Sequence, residues 1–196
     1  MTINNKYYYL VNGITLYRLV MAPLLILVAF NQQLNVFKWL IAISFLTDSF
    51  DGYLARRHKA VSVLGTKIDS VADDFTIVAA LVGVILFRNG FLKQHIVLLG
   101  LLFSLYLFQL IAALVRYGKP TGFHIYTAKI AAVLQGLFLI LLFFFSEPIY
   151  ILFYVALLFT ALDLVEEILL VFILPQWQAN VKGLFWVIKE KHFKGL

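Results

Sequence analysis

The chain has 196 residues, 63% of them hydrophobic and only 13% charged, which is far from the roughly half-apolar composition of soluble domains and reads as an integral membrane protein. Cysteine is absent, so a disulfide framework, a thiolate nucleophile and a cysteine-based metal site are excluded. The formal charge of +6 fits basic cytoplasmic loops and does not call for nucleic acid.

The opening residues, MTINNKYYYLVNG, lack the basic region, apolar core and small-residue cleavage site of a removable signal peptide. A spanning helix needs about 20 predominantly apolar residues, and six stretches fit: roughly 14–31, 36–55, 69–88, 94–116, 127–146 and 149–174. Asn31-Gln32-Gln33 closes the first, Arg56-Arg57-His58-Lys59 the second and Arg88-Asn89-Gly90 the third. Tyr117-Gly118-Lys119-Pro120-Thr121-Gly122 closes the fourth, and Ser146-Glu147-Pro148 links the last two, with glycine and proline as breakers. The expected fold is an all-α integral membrane protein of six transmembrane helices, forming a single domain over 1–196. Its terminal segments are expected at the interface: the tyrosine-rich stretch from Lys6 to Gly13, and a tail carrying Trp177, Lys182, Leu184, Phe185, Trp186, Lys189 and Lys191. Aromatic rings and lysines favour the headgroup zone.

With six spans, the termini, the 2–3 loop and the 4–5 loop share one side. That side holds 13 of the Lys and Arg residues, and the other holds Lys38, Arg88 and Lys93. The positive-inside rule then puts both termini in the cytoplasm, in the cytoplasmic (inner) membrane.

Asp48, Asp51, Asp69 and Asp73 sit at or beside apolar runs, at the cytoplasmic ends of the second and third expected spans. A charge at membrane depth costs roughly 2.5–3.5 kcal/mol on insertion scales, so four together point to function. Asp48 and Asp51 are three apart and Asp69 and Asp73 four apart, so each pair shares a helix face. Opposed, the four carboxylates would repel unless a cation quenched them. Arg56 and its basic neighbours are one candidate, and hard divalent cations with oxygen ligands, Mg2+ or Mn2+, are the other. Four acids exceed what one arginine balances, which favours two metal ions, and such pairs clamp both oxygens of a phosphoryl displacement. Gly52, Ala55 and Gly65 leave space beside the acids, and Arg56 offers a planar fork for phosphate. Taken singly, each of these residues fits ordinary helix packing.

Together, Asp48-x-x-Asp51-Gly52-x-x-Ala55-Arg56, eight residues, Gly65-x-x-x-Asp69-x-x-x-Asp73 resembles the signature of the CDP-alcohol phosphotransferase family at all its fixed positions. The resemblance implies transfer of a phosphatidyl group from CDP-diacylglycerol, or a similar CDP-alcohol, to an acceptor alcohol with release of CMP. It implies that Asp48, Asp51, Asp69 and Asp73 bind two divalent ions, with Asp73 also the general base. It further implies that Gly52, Ala55 and Gly65 line the cytidine site, that Arg56 holds the donor phosphates, and that the protein is a homodimer.

The acceptor is read elsewhere. Asn12, Ile14, Thr15, Arg18 and Pro23 resemble the opening of the bacterial phosphatidylglycerophosphate synthases, which implies glycerol-3-phosphate. Arg18 meets a phosphate on this reading, or snorkels to the interface. Arg116, Lys119, His124 and Lys129 form a basic region suited to a phosphorylated acceptor, or are ordinary loop charge. This region departs from those synthases at Val115-Arg116-Tyr117 and Tyr126-Thr127-Ala128-Lys129, and Lys67 and Asp74 depart beside the signature. Inositol phosphate, serine or another alcohol is therefore the alternative acceptor. Asp163, Glu166 and Glu167 share a face of the sixth span and are expected to pair with Lys129, Arg116 or Arg18, chiefly as buried structure. A small transporter is the rival class, but the paired broken helices common in transporters are missing here. A non-catalytic lipid- or metal-binding member would not need the intact signature.

Overall fold

A computed structural model describes residues 5–57, 63–123, 125–179 and 181–194. The side chains of residues 5–12, 49, 51–57, 63–67, 69–70 and 190–194 lie outside that description. Among the described residues every regular element is a helix: α1 (Asn5–Phe30), α2 (Leu34–Arg57), α3 (Val63–Phe87), α4 (Asn89–Tyr117), α5 (Tyr126–Phe144), α6 (Tyr150–Ile173) and α7 (Leu184–Lys194).

The first six helices track the six expected spans. Among the described residues, three stretches are long and apolar enough to cross a membrane, namely Gly13–Phe30 of α1, Asn89–Tyr117 and Tyr126–Phe144. The other three carry the acids: Asp48 and Asp51 on α2, Asp69, Asp73 and Asp74 on α3, and Asp163, Glu166 and Glu167 on α6. α1 begins at Asn5, so the tyrosine-rich stretch continues the first span as helix and is not a separate segment.

The helix ends follow local chemistry. α1 stops in a Schellman turn, with Gln32 at φ 58° in the position usually held by glycine. There the Gln33 N–H donates to Val28 O and the Gln32 N–H to Ala29 O, which satisfies carbonyls a helix end leaves open. α4 ends at Gly118, whose φ of 69° suits glycine and whose N–H donates to Leu114 O. α6 ends because Leu174 precedes Pro175, and the residue before proline is driven extended; Leu174 has φ −81° and ψ 125°. Between α3 and α4 there is one residue, Arg88, and the ladder runs across it from Arg88 N to Val84 O and from Leu92 N to Arg88 O.

The chain divides into two compact units, one of Met1–Gln94 with Phe143–Ser146, the other of His95–Leu142 with Glu147–Leu196. In the first, α1 packs along both α2 and α3, most extensively on α3. The α3 face is small and apolar, with Ala72, Thr76, Ala79, Ala80 and Val84 buried, as suits helices that associate by close backbone approach in lipid. Gly83 lies on the same face. A Cβ there would fall 2.4 Å from Phe37 Cζ and 3.1 Å from Phe143 Cζ. Phe37 cannot yield easily, being fully buried with its ring 5.3 Å from Phe87 and 4.9 Å from Phe143. Gly83→Ala is expected to overpack this corner at a cost of about 1–3 kcal/mol, read as a lower thermal midpoint in detergent. An unchanged midpoint would exclude the close approach.

In the second unit, Ala113, Phe123, Ile125, Leu170, Val171, Leu174 and Val181 form the core. α4 leaves Val97, Leu101, Phe103, Phe108 and Val115 exposed, an apolar surface suited to lipid.

Candidate active site

α1 buries Thr15, Arg18, Ala22, Leu25 and Ala29, spaced alternately three and four apart, which is the seam of a helix packed along its length. Arg18 holds one position in that seam. α2 turns Phe37, Ile41 and Ser44 inward, and Asp48 continues the spacing. On α3, Asp73 follows buried Ala72. The three faces meet at one charged centre. Arg18 Nη1 donates to Asp48 Oδ1 at 2.6 Å, and Nη2 donates to Asp73 Oδ1.

The exposures differ sharply. The Arg18 side chain is 2% exposed, whereas Asp48 and Asp73 are 38% and 41% exposed. The cation is sealed behind two carboxylates that open outward, each held by a charge-assisted hydrogen bond of the strong kind. Arg18 therefore does not snorkel to an interface.

The remaining signature positions are placed by backbone alone. Asp51, Gly52, Ala55 and Arg56 lie within α2, and Gly65 and Asp69 within α3. Their side chains, and the whole of His124, lie outside the described residues. Sequence reasoning looked to Arg56 for the counter-charge and missed Arg18 in that role. The signal was present in the alternating spacing of Thr15, Arg18, Ala22, Leu25 and Ala29, which puts the arginine on a packed face.

The basic residues expected at the acceptor lie in the second unit. Arg116 is exposed, and its Nε and Nη2 donate to Leu174 O at 3.2 and 3.1 Å. The Tyr117 hydroxyl donates to Val171 O and Leu174 O, both at 3.0 Å. Together they satisfy Val171 O and Leu174 O at the end of α6, where a cation also meets the negative end of the helix dipole. Lys129 is exposed, with Nζ 5.1 Å from the centre of the Tyr126 ring.

Glu166 and Glu167 of α6 accept from neutral donors. Glu166 Oε2 accepts from Thr127 Oγ1 at 2.6 Å, and Oε1 accepts from the Leu184 N–H at 2.7 Å. Glu167 Oε2 accepts from Gln109 Nε2 at 2.7 Å and from Thr121 Oγ1 at 2.8 Å. This revises the pairing expected with Arg116, which is engaged on a carbonyl, and brings in Gln109, Thr121 and Thr127. Isolated threonines and glutamines carry no spacing signal that would mark them in advance.

Comparison with known proteins follows the same line. The sequence model of the CDP-alcohol phosphatidyltransferase family matches residues 8–164. A "Probable phosphatidylglycerophosphate synthase" of Mycobacterium tuberculosis (strain CDC 1551 / Oshkosh) is 39% identical over 80 residues, 38% of this chain and 38% of that protein. A "CDP-diacylglycerol--glycerol-3-phosphate 3-phosphatidyltransferase" of Sodalis glossinidius (strain morsitans) is 37% identical over 76 residues, 35% of this chain and 40% of its own length. One of the same description from Wigglesworthia glossinidia brevipalpis is 32% identical over 81 residues, 40% and 44% of the two chains. The match thus spans about two fifths of the length of these curated relatives. No solved structure matches.

Proposed function

The chain belongs to the CDP-alcohol phosphatidyltransferase family, and from that premise we propose that it transfers a phosphatidyl group from CDP-diacylglycerol to glycerol-3-phosphate, releasing CMP, in phospholipid biosynthesis. The observation that carries this reading is the convergence of Asp48 and Asp73 from different helices, backed by a buried guanidinium and open on their outer side. Glycerol-3-phosphate as acceptor is supported by the printed descriptions of the relatives and by the stretch from Asn12 to Pro23.

The donor set fits hard divalent cations. Asp48 and Asp73 offer oxygen alone, converge on one positive group and keep open edges, and this is the ligand chemistry of Mg2+ or Mn2+. By sequence spacing, Asp51 and Asp69 complete the set for two ions. When bound, such ions neutralise phosphate charge and stabilise the CMP leaving group. Asp73 accepts the proton of the acceptor hydroxyl, which is otherwise a weak nucleophile at neutral pH. Gly52, Ala55 and Gly65 admit the cytidine, and Arg56 binds the donor phosphates. His124 and Lys129 are the sequence's candidates for the acceptor phosphate, with Arg116, which would have to exchange Leu174 O for it.

The wider reading is one membrane domain of six spans, with both termini and the aspartates on the cytoplasmic side, acting as a homodimer. The family match runs through both compact units. The partners of Glu166 and Glu167 lower the cost of a span by α6 at two of its three acids, since acids at membrane depth need satisfied oxygens. The test is CMP release by purified protein with CDP-diacylglycerol and Mg2+ or Mn2+, across glycerol-3-phosphate, serine, inositol, inositol phosphate and choline. Release with glycerol-3-phosphate is expected. Release with another alcohol alone would move the acceptor, and none with any would remove the activity.

A further inference from the structure

We propose that Arg18 is a displaceable counter-cation, which holds Asp48 and Asp73 together in the metal-free protein and competes with divalent cations for their oxygens. The inference rests on the reading that these carboxylates bind divalent cations.

Arg18 reaches two carboxylates from the buried seam of α1. Its two terminal nitrogens each engage one carboxylate, on α2 and α3 respectively. A guanidinium is charged at any physiological pH, so titration does not release it. Two carboxylates brought together without a cation repel, and α1 supplies that cation from inside its packed seam. A divalent ion arriving from the open side meets two carboxylates whose Oδ1 atoms already engage a positive group. A guanidinium and a metal ion on the same two carboxylates repel each other. Arg18 therefore competes with the ion, and the apparent metal affinity is lowered by the fraction of protein in which Arg18 holds its place.

A purely structural ion pair makes a different forecast, because its loss would loosen the helices and weaken metal binding. The experiment is titration of Mn2+ into the purified full chain, followed by electron paramagnetic resonance, for wild type, Arg18→Gln and Arg18→Lys. Arg18→Gln is expected to bind Mn2+ roughly tenfold more tightly, since the competent fraction rises when the competitor is removed. Its metal-free form is expected to melt lower than wild type and to gain more from Mn2+, and Arg18→Lys is expected to fall between. A second readout needs no variant: phenylglyoxal labelling of Arg18 in wild type, located by mass spectrometry, is expected to speed up several-fold on adding Mn2+. Unchanged or weaker Mn2+ binding by folded Arg18→Gln overturns the inference. So does unchanged labelling in a wild-type protein that binds Mn2+. A wild type that binds no Mn2+ overturns the cation reading itself, and this inference with it.

Discussion

Asp73→Asn is expected to slow CMP release by about 10²–10⁴-fold, the contribution typical of a general base. The substitution preserves shape, and its amide oxygen can still accept the hydrogen bond that Arg18 Nη2 now gives to Asp73 Oδ1. What it loses is a group able to take a proton, together with one negative charge. The two losses separate in the kinetics. Loss of the base lowers kcat with the KM for CDP-diacylglycerol little changed, because the missing interaction belongs to the transition state. Loss of a metal ligand would raise the cation concentration needed for half-maximal rate. Asp48→Asn is the control, with its cation requirement expected to rise more than that of Asp73→Asn. A wild-type rate in Asp73→Asn would remove this residue as the base.

Much of this arrangement was legible in the sequence because membrane folding leaves coarse, strong signals. Six apolar runs of near-spanning length became the first six helices, and their ends fell at Asn31-Gln32-Gln33, Arg88 and Gly118, where turn-forming or charged residues interrupt the pattern. The placing of Asp48 with Asp51, and of Asp69 with Asp73, on shared helix faces was equally readable, since it follows from their spacing alone. Less legible was what each charge touches. Arg18 looked like a residue near a helix end, free to reach for phosphate or headgroup, because a one-dimensional reading gives no depth within a bundle. The partners of Glu166 and Glu167 were harder still. Gln109, Thr121 and Thr127 come from α4, the loop after it and α5, and only the packing of helices distant in sequence makes them neighbours.

Glu166→Ala is expected to destabilise the second unit by roughly 2–4 kcal/mol, because it strands two donors that share one carboxylate. One is the Thr127 hydroxyl on α5, and the other is the backbone N–H of Leu184, the first residue of α7. The opening N–H groups of a helix have no partner within it, so Glu166 acts as a cap supplied from a neighbouring helix. Gly183 makes the approach possible. Its φ of 149° disfavours a side chain, and an added Cβ would lie 2.9 Å from Glu166 Oε1. From there α7 runs with Leu184 and Val187 packed on the core while Phe185, Trp186 and Ile188 stay exposed, as an interfacial helix requires. Releasing the cap should free this helix before it disturbs α6, so limited proteolysis is expected to cut near Gly183 faster in Glu166→Ala than in wild type. Gly183→Ala should give the same accelerated cleavage by a different route, forcing the carboxylate aside while leaving it in the chain. Glu166→Gln should fall between, since its amide oxygen can serve one donor while its NH2 confronts the other. If Glu166→Ala and Gly183→Ala both keep wild-type cleavage rates, the carboxylate does not fasten α7.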